Sequence, residues 1–200
     1  MTSQTLHTGW TLRAAGGPVP DELTARLVEA TVPAQVPGTS HTALLDAGLI
    51  PDPYLDLHET ELAWMHLVDW RYETTFTASP AADGEQLELV FDGLDTVATV
   101  TLNGTEVGRT ANQHRSYRFD VAGLVVDGEN HLVVDLRSAL AHAREVADEI
   151  VLRPRAIDDA GFTVKTEGGT HGTLYRIRGA KPERWIQQTA FRNDEAVGSL

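Results

Sequence analysis

Between Leu87 and Val134 the chain alternates apolar and polar residues at period two, through LELVFDGLDTVATVTLNGTEVG, NQHRSYRFDV and GENHLVV. Successive side chains on a strand point to opposite faces, so this pattern predicts a run of strands with one buried face each. Leu87, Leu89 and Phe91 share a face. Val97, Thr99 and Thr101 alternate with Ala98, Val100 and Leu102, and Tyr117, Phe119 and Val121 repeat the arrangement before Leu132 and Val134. Asn103-Gly104 predicts a tight hairpin, because both residues tolerate positive φ, and Gly128-Glu129-Asn130 marks another turn.

Upstream the rhythm is less regular. TLHTGWTLRAAGG predicts a strand ending at Gly16-Gly17-Pro18, and alternating Val28, Ala30, Val32, Ala34 and Val36 predict a second that stops at Pro37-Gly38. Ser40 is placed to cap a short helix over HTALLDAG, with Leu44 and Leu45 toward the core and Gly48 as its stop. IPDPYLDLHETELAWMHLVDW carries two prolines in its first four residues, which rules out a regular central strand and predicts a long ordered surface loop. Trp70, Tyr72 and Phe76 then place aromatics on one face of a strand, and Ala81–Gly84 turns the chain. After Val134, SALAHAREVADEIV predicts a helix capped by Ser138, and the last fifty residues hold weaker strand-like patches, GFTVKT, TLYRIR and RWIQQTAF. Many short strands, frequent turns and no βαβ rhythm predict an all-β fold, a jelly-roll β-sandwich with short helices.

Composition narrows the chemistry. Two hundred residues without cysteine exclude disulfides, thiolate zinc sites, iron–sulfur clusters and a cysteine nucleophile. The net charge of −13 opposes binding to a phosphate backbone, so nucleic acid is not an expected partner. MTSQTLHTGW lacks the basic and apolar regions of a signal peptide, and no apolar run approaches a membrane span of about 18 residues, so a soluble, cytoplasmic protein is the expectation. Residues 1–150 carry 8 basic and 23 acidic side chains, whereas 151–200 carry 8 and 6, including both lysines, Lys165 and Lys181. That shift predicts a jelly-roll domain over 1–150 and a divergent tail over 151–200, either adding strands or partly disordered.

At this point specific residues resemble a known family. Trp70-Arg71-Tyr72 with Phe76, VFDGLDTVATVTLNGTEVG, Asn112, His114, Arg118-Phe119-Asp120-Val121 and GENHLVV resemble the N-terminal sugar-binding-like (galactose-binding-domain-like) jelly roll of family 2 glycoside hydrolases. Val36-Pro37-Gly38-Thr39, His41, Leu44-Leu45, Gly48-Leu49-Ile50-Pro51-Asp52-Pro53-Tyr54, Glu59 and Trp64, ending at Asp69-Trp70, follow the β-mannosidase order within it. The resemblance covers roughly residues 5–145. His58 departs from it, standing where the family usually has asparagine.

The resemblance implies more than this chain contains. Family members continue into an immunoglobulin-like domain and a (β/α)8 barrel that holds two catalytic glutamates, set about 5 to 5.5 Å apart for retaining hydrolysis. A barrel takes about 250 residues, so no glutamate here inherits a catalytic role. The family's arginine-lysine segment and Gly-Trp-Asp-Trp-Gly-Pro loop are also missing, and Gly161-Phe162 and Trp185 do not replace them. A reading-frame change, a truncated gene or a divergent fragment would each give this pattern.

Weighing individual residues leaves few site candidates. Glu73, Glu85, Glu88 and Asp92 read as outward residues of strands and turns rather than a catalytic pair. The histidines, His7, His41, His58, His66, His114, His131, His142 and His171, have no metal-ligand spacing, so no metal and no cofactor is expected. The sequon Asn103-Gly104-Thr105 reads as the hairpin turn. Aromatic faces stack on pyranose rings, which leaves Tyr54, Glu59 and Trp64 on the proline-bounded loop as substrate-binding candidates; Trp70 opens a patterned strand and reads as core.

Three functions remain open: a non-catalytic domain of a β-mannosidase-like hydrolase present as a fragment, a stand-alone carbohydrate-binding module for mannose-type glycosides, and an interaction domain docking through its basic tail. An unmatched edge strand also makes self-association an expectation.

Overall fold

Strand β1, Trp10–Gly16, shows why a sheet forms here: Trp10, Leu12 and Ala14 are buried while Arg13 and Ala15 alternate outward. The same alternation continues across its neighbours. The structure is a computed structural model that describes residues 3–151, 173–177 and 184–188. After β1 come α1 (Thr24–Leu27), β2 (Val32–Ala34), α2 (Ser40–Asp46), α3 (His58–Glu61), a 3-10 helix (Ala63–Leu67) and β3 (Asp69–Ala78). β4 (Glu88–Phe91), β5 (Val97–Leu102), β6 (Thr105–Ala111), β7 (Tyr117–Asp120), β8 (Gly128–Arg137) and α4 (Ala139–Val151) follow, then β9 (Thr173–Ile177) and β10 (Arg184–Gln188).

Six strands make one antiparallel sheet in the order β2-β1-β3-β8-β5-β6, and β4 pairs with β7 in a second, two-stranded sheet. β1 with β2 and β5 with β6 pair as sequence neighbours, but the centre of the sheet joins distant strands: β3 lies beside β8 through nine residue pairs from Trp70↔Leu136 to Ala78↔Gly128. This is the all-β sandwich that the alternation predicts. Its core lies on the inner face of the large sheet, where Leu12, Tyr72, Val134, Val100 and Leu102 are buried, and Leu89, Phe91 and Phe119 of the small sheet pack against that core. Burying each such side chain contributes about 1.5–3 kcal/mol.

The outer face is polar and paired. Arg71 and Asp135 stand directly opposite each other and form a two-pronged ion pair, Nε–Oδ1 2.6 Å and Nη2–Oδ2 2.9 Å. Glu73 lies near Arg13 at 3.7 Å and His131 at 3.9 Å, and Glu88 binds Arg118 at 2.9 Å. Glu85 accepts from Ala82 N at 3.0 Å, which closes its turn.

The hairpin at Asn103-Gly104 has positive φ at both residues, 50° and 81°, as its sequence predicts. Gly108 answers a different need, since any Cβ there would run into the Phe119 ring. Ser138 caps α4, its Oγ accepting from Ala141 N at 3.0 Å.

The turn expected at Gly128-Glu129-Asn130 falls just before them, since these residues open β8 opposite Phe76–Ala78, and three further expectations need correction. The strand expected over Val28–Val36 shrinks to Val32–Ala34, because residues 24–27 coil to bury Leu27 and leave Val28 exposed. The cap of α2 is Thr39 rather than Ser40: Thr39 Oγ1 accepts from Thr42 N at 3.1 Å while Thr42 Oγ1 accepts from Thr39 N at 3.0 Å. Leu44 is buried with Ala43, which turns Leu45, about 100° further round the helix, toward solvent.

The chain divides into two units, Met1–Ala143 and Arg144–Leu200. In the second, β9 and β10 form an antiparallel pair from Arg184↔Ile177 to Gln188↔Thr173, so the TLYRIR and RWIQQTAF patches do contain strands. The GFTVKT patch, at 161–166, lies outside the described residues.

Candidate functional site

The proline-bounded stretch between α2 and β3 is ordered by local hydrogen bonds. Asp52 Oδ1 accepts from Tyr54 N at 2.9 Å, His58 Nδ1 lies 2.9 Å from Asp52 O, and Thr60 Oγ1 donates to Leu57 O at 2.7 Å. These turns lead into α3 and the 3-10 helix, so the expected long loop carries two short helical turns. Met65 and Leu62 anchor the stretch in the core.

Its outward part differs in character. Tyr54 is 95% exposed, followed by Leu55 at 56% and Leu57 at 72%, so three large apolar side chains stand in solvent within four residues. Glu59 is exposed in the first turn of α3. Trp64 is half-buried, its ring 6.2 Å from that of Trp70 and tilted by 50°. Trp70 is itself buried, with Nε1 donating to Met65 O at 3.4 Å. The three predicted site residues therefore share one segment, but Trp64 commits a face to packing while Tyr54 commits none.

A second feature was not visible in the sequence. A cleft of about 1020 Å³ opens between the large sheet and the small one, with Trp10, Trp70, Tyr72 and Leu136 on one wall and Phe91 and Leu94 on the other. Its rim carries His41 and His66, whose rings stand 5.8 Å apart at 43°. Burial, and then the neighbouring His66, hold the His41 pKa below its usual value. Burial alone pushes the Tyr72 phenol up to about 12, so it stays protonated as a hydrogen-bond donor. Ser138 Oγ donates to His66 O at 2.6 Å and fixes that rim to the start of α4.

Asp95 is the one carboxylate among the cleft's lining residues. Glycoside hydrolysis needs a second carboxyl across the sugar, as acid or as nucleophile. An apolar cleft with a few polar rim groups suits binding or packing instead. The histidine pair escaped sequence reasoning because its members come from different elements, 25 positions apart, with no shared period.

The family model for the glycosyl hydrolase 2 galactose-binding domain-like family matches residues 10–174. The chain belongs to this family. It is 38% identical over 133 residues to β-mannosidase A of Emericella nidulans, a match that covers 66% of this chain and 14% of that protein. It is also 35% identical over 145 residues to β-mannosidase B of Aspergillus terreus, covering 72% of this chain and 16% of that one. Among solved structures, the β-D-mannosidase of Dictyoglomus thermophilum superposes with a TM-score of 0.64 and 29% identity, over 83% of this chain and 18% of that chain.

The fold and the sequence thus agree on one placement: this is the galactose-binding-like domain found in β-mannosidase-like members of glycoside hydrolase family 2. The chain spans 14 to 18% of the length of the relatives named above. The family match over residues 10–174 takes in the sandwich and its proline-bounded stretch.

Proposed function

We propose that this chain acts as the non-catalytic jelly roll of a β-mannosidase-type glycoside hydrolase, whose sugar chemistry is performed by residues outside it. The observation that carries this reading is the family match over residues 10–174, combined with a cleft that offers a single carboxylate, Asp95. Domain grafting tests it. Residues 3–143, put in place of the matching domain of the Dictyoglomus thermophilum β-mannosidase, should give a hybrid that hydrolyses a 4-nitrophenyl β-mannoside. The chain alone should release no nitrophenol. A turnover by the chain alone that disappears when Asp95 is changed to asparagine would defeat the proposal.

A specific observation favours a second, compatible role in direct carbohydrate contact. Tyr54 presents both ring faces to solvent on an ordered stretch, close in sequence to Glu59 and Trp64. An exposed aromatic ring stacks on the apolar face of a pyranose, and a carboxylate accepts from its hydroxyls. Mannose-type glycosides are the substrate class to which the relatives' names point. Calorimetric titration with mannobiose should show saturable, millimolar binding that Tyr54→Ala abolishes. Unchanged binding in that variant would move the contact elsewhere, and no binding at all would leave Tyr54, Leu55 and Leu57 as a protein-docking surface.

A further inference from the structure

Asn103 ties three segments of the sandwich together. Its Nδ2 donates to Leu124 O and to Asn130 Oδ1, both at 2.8 Å, and its Oδ1 accepts from His131 N at 2.8 Å. Its backbone N–H donates to His131 O, also at 2.8 Å. Through these bonds the β5–β6 hairpin is clasped to the β7–β8 connection and to the start of β8.

The partner side chain cannot adapt. Asn130 is 0% exposed, its Oδ1 also accepts from Val126 N at 2.8 Å, and its Nδ2 donates to Val126 O at 2.9 Å and Gly128 O at 3.1 Å. Turning its amide over would set donor against donor at Val126 N and acceptor against acceptor at the two carbonyls. The clasp therefore requires an –NH2 at position 103, and an oxygen there meets two further oxygens.

Asn103 is followed by Gly104, around which an added Cβ would meet nothing within 4 Å. An asparagine before an unshielded glycine is open to attack by the next backbone nitrogen. Gly104 N bonds to Asn103 Cγ and loses its proton, the Cγ–Nδ2 bond breaks, and ammonia leaves with that proton. Water then opens the cyclic imide at either carbonyl, giving aspartate or isoaspartate; the balance is one water consumed and one ammonia released.

We propose that Asn103-Gly104 is a deamidation site held shut by the fold, at which reaction occurs only when the clasp opens and its product cannot close the clasp again. While the three side-chain bonds hold, the amide is tied to Leu124, Asn130 and His131 and must give up those bonds to swing onto Gly104 N. Once an aspartate stands there, both bonds made by Nδ2 are lost and a negative charge faces Leu124 O and Asn130 Oδ1. Isoaspartate adds a methylene to the backbone of a two-residue turn, which breaks the β5–β6 register as well. The modification is a one-way loosening of residues 121–131 from the hairpin, independent of any sugar chemistry.

The test compares rates in and out of the fold. The full chain is kept in mildly alkaline buffer with and without concentrated urea, and the proteolytic peptide containing Asn103 is followed by mass spectrometry for its one-dalton gain. Conversion should be slower by about tenfold or more in the folded chain, the factor set by how rarely the clasp opens. Chain aged without urea should then exchange backbone amides faster across 121–131, and Asn103→Asp should unfold at lower urea concentration than the parent. Equal rates with and without urea would overturn the proposal. So would an aged chain with unchanged exchange, or an N103D protein as stable as the parent; if N103D does not fold, the aged chain's exchange decides.

Discussion

Asn130 is the residue on which the sandwich's polar interior depends most. It is fully buried, and its side chain serves Val126 N, Val126 O, Gly128 O and Asn103 Nδ2 together. Replacing it with alanine leaves several of these groups buried without partners, at a cost of about 2–4 kcal/mol, which urea unfolding would register. The Arg71–Asp135 pair has better geometry yet less weight, because both side chains remain about one-third exposed. A double-mutant cycle there should return a coupling of about 1 kcal/mol or less. His41 contributes through its proton. With its pKa held below the usual 6.5 by burial and then by His66, the unfolded chain takes up the proton more readily than the folded one. Its contribution is complete above that pH and is lost as the pH falls toward its folded pKa, so His41→Gln should flatten the loss of stability as the pH falls below 6.5.

Elements were legible wherever a single period decided them. β5 alternates without interruption, the Asn103-Gly104 turn needs only its two residue types, and Ser138 precedes a helix whose first turn it caps. Errors arose where two local solutions competed. Val28 to Val36 alternates well enough for a strand, but Leu27 reaches the core only if the chain coils first, and tertiary burial overrode the alternation. Thr39 and Ser40 are both capping residues, and only Thr39 has a threonine three positions on to complete the reciprocal pair. Thr39→Ala should cost about 1 kcal/mol, measurable as a lower unfolding midpoint, whereas Ser40→Ala should cost less than half of that. Gly108→Ala should cost more than either, since its Cβ and the Phe119 ring claim the same space. The cleft was not legible at any of these points. Its walls come from β1, β3, β8, the β4 end and the α2 rim, and no sequence period links residues that meet only after the sheets pack.

At the scale of the molecule, scaffold and site separate cleanly. The alternation that specifies the sandwich says nothing about catalysis, while the stretch that holds three large apolar side chains in solvent, Tyr54 to Leu57, is the part with no period at all. That division is what the proposed role, a non-catalytic domain within a longer hydrolase, requires of the scaffold. The most direct measurement is the grafted hybrid: residues 3–143 in place of the corresponding domain of the Dictyoglomus thermophilum enzyme, assayed on a 4-nitrophenyl β-mannoside. The account predicts a folded hybrid with β-mannosidase activity. A hybrid that folds and remains inactive, beside an active control carrying the domain of the Emericella nidulans relative, would contradict it.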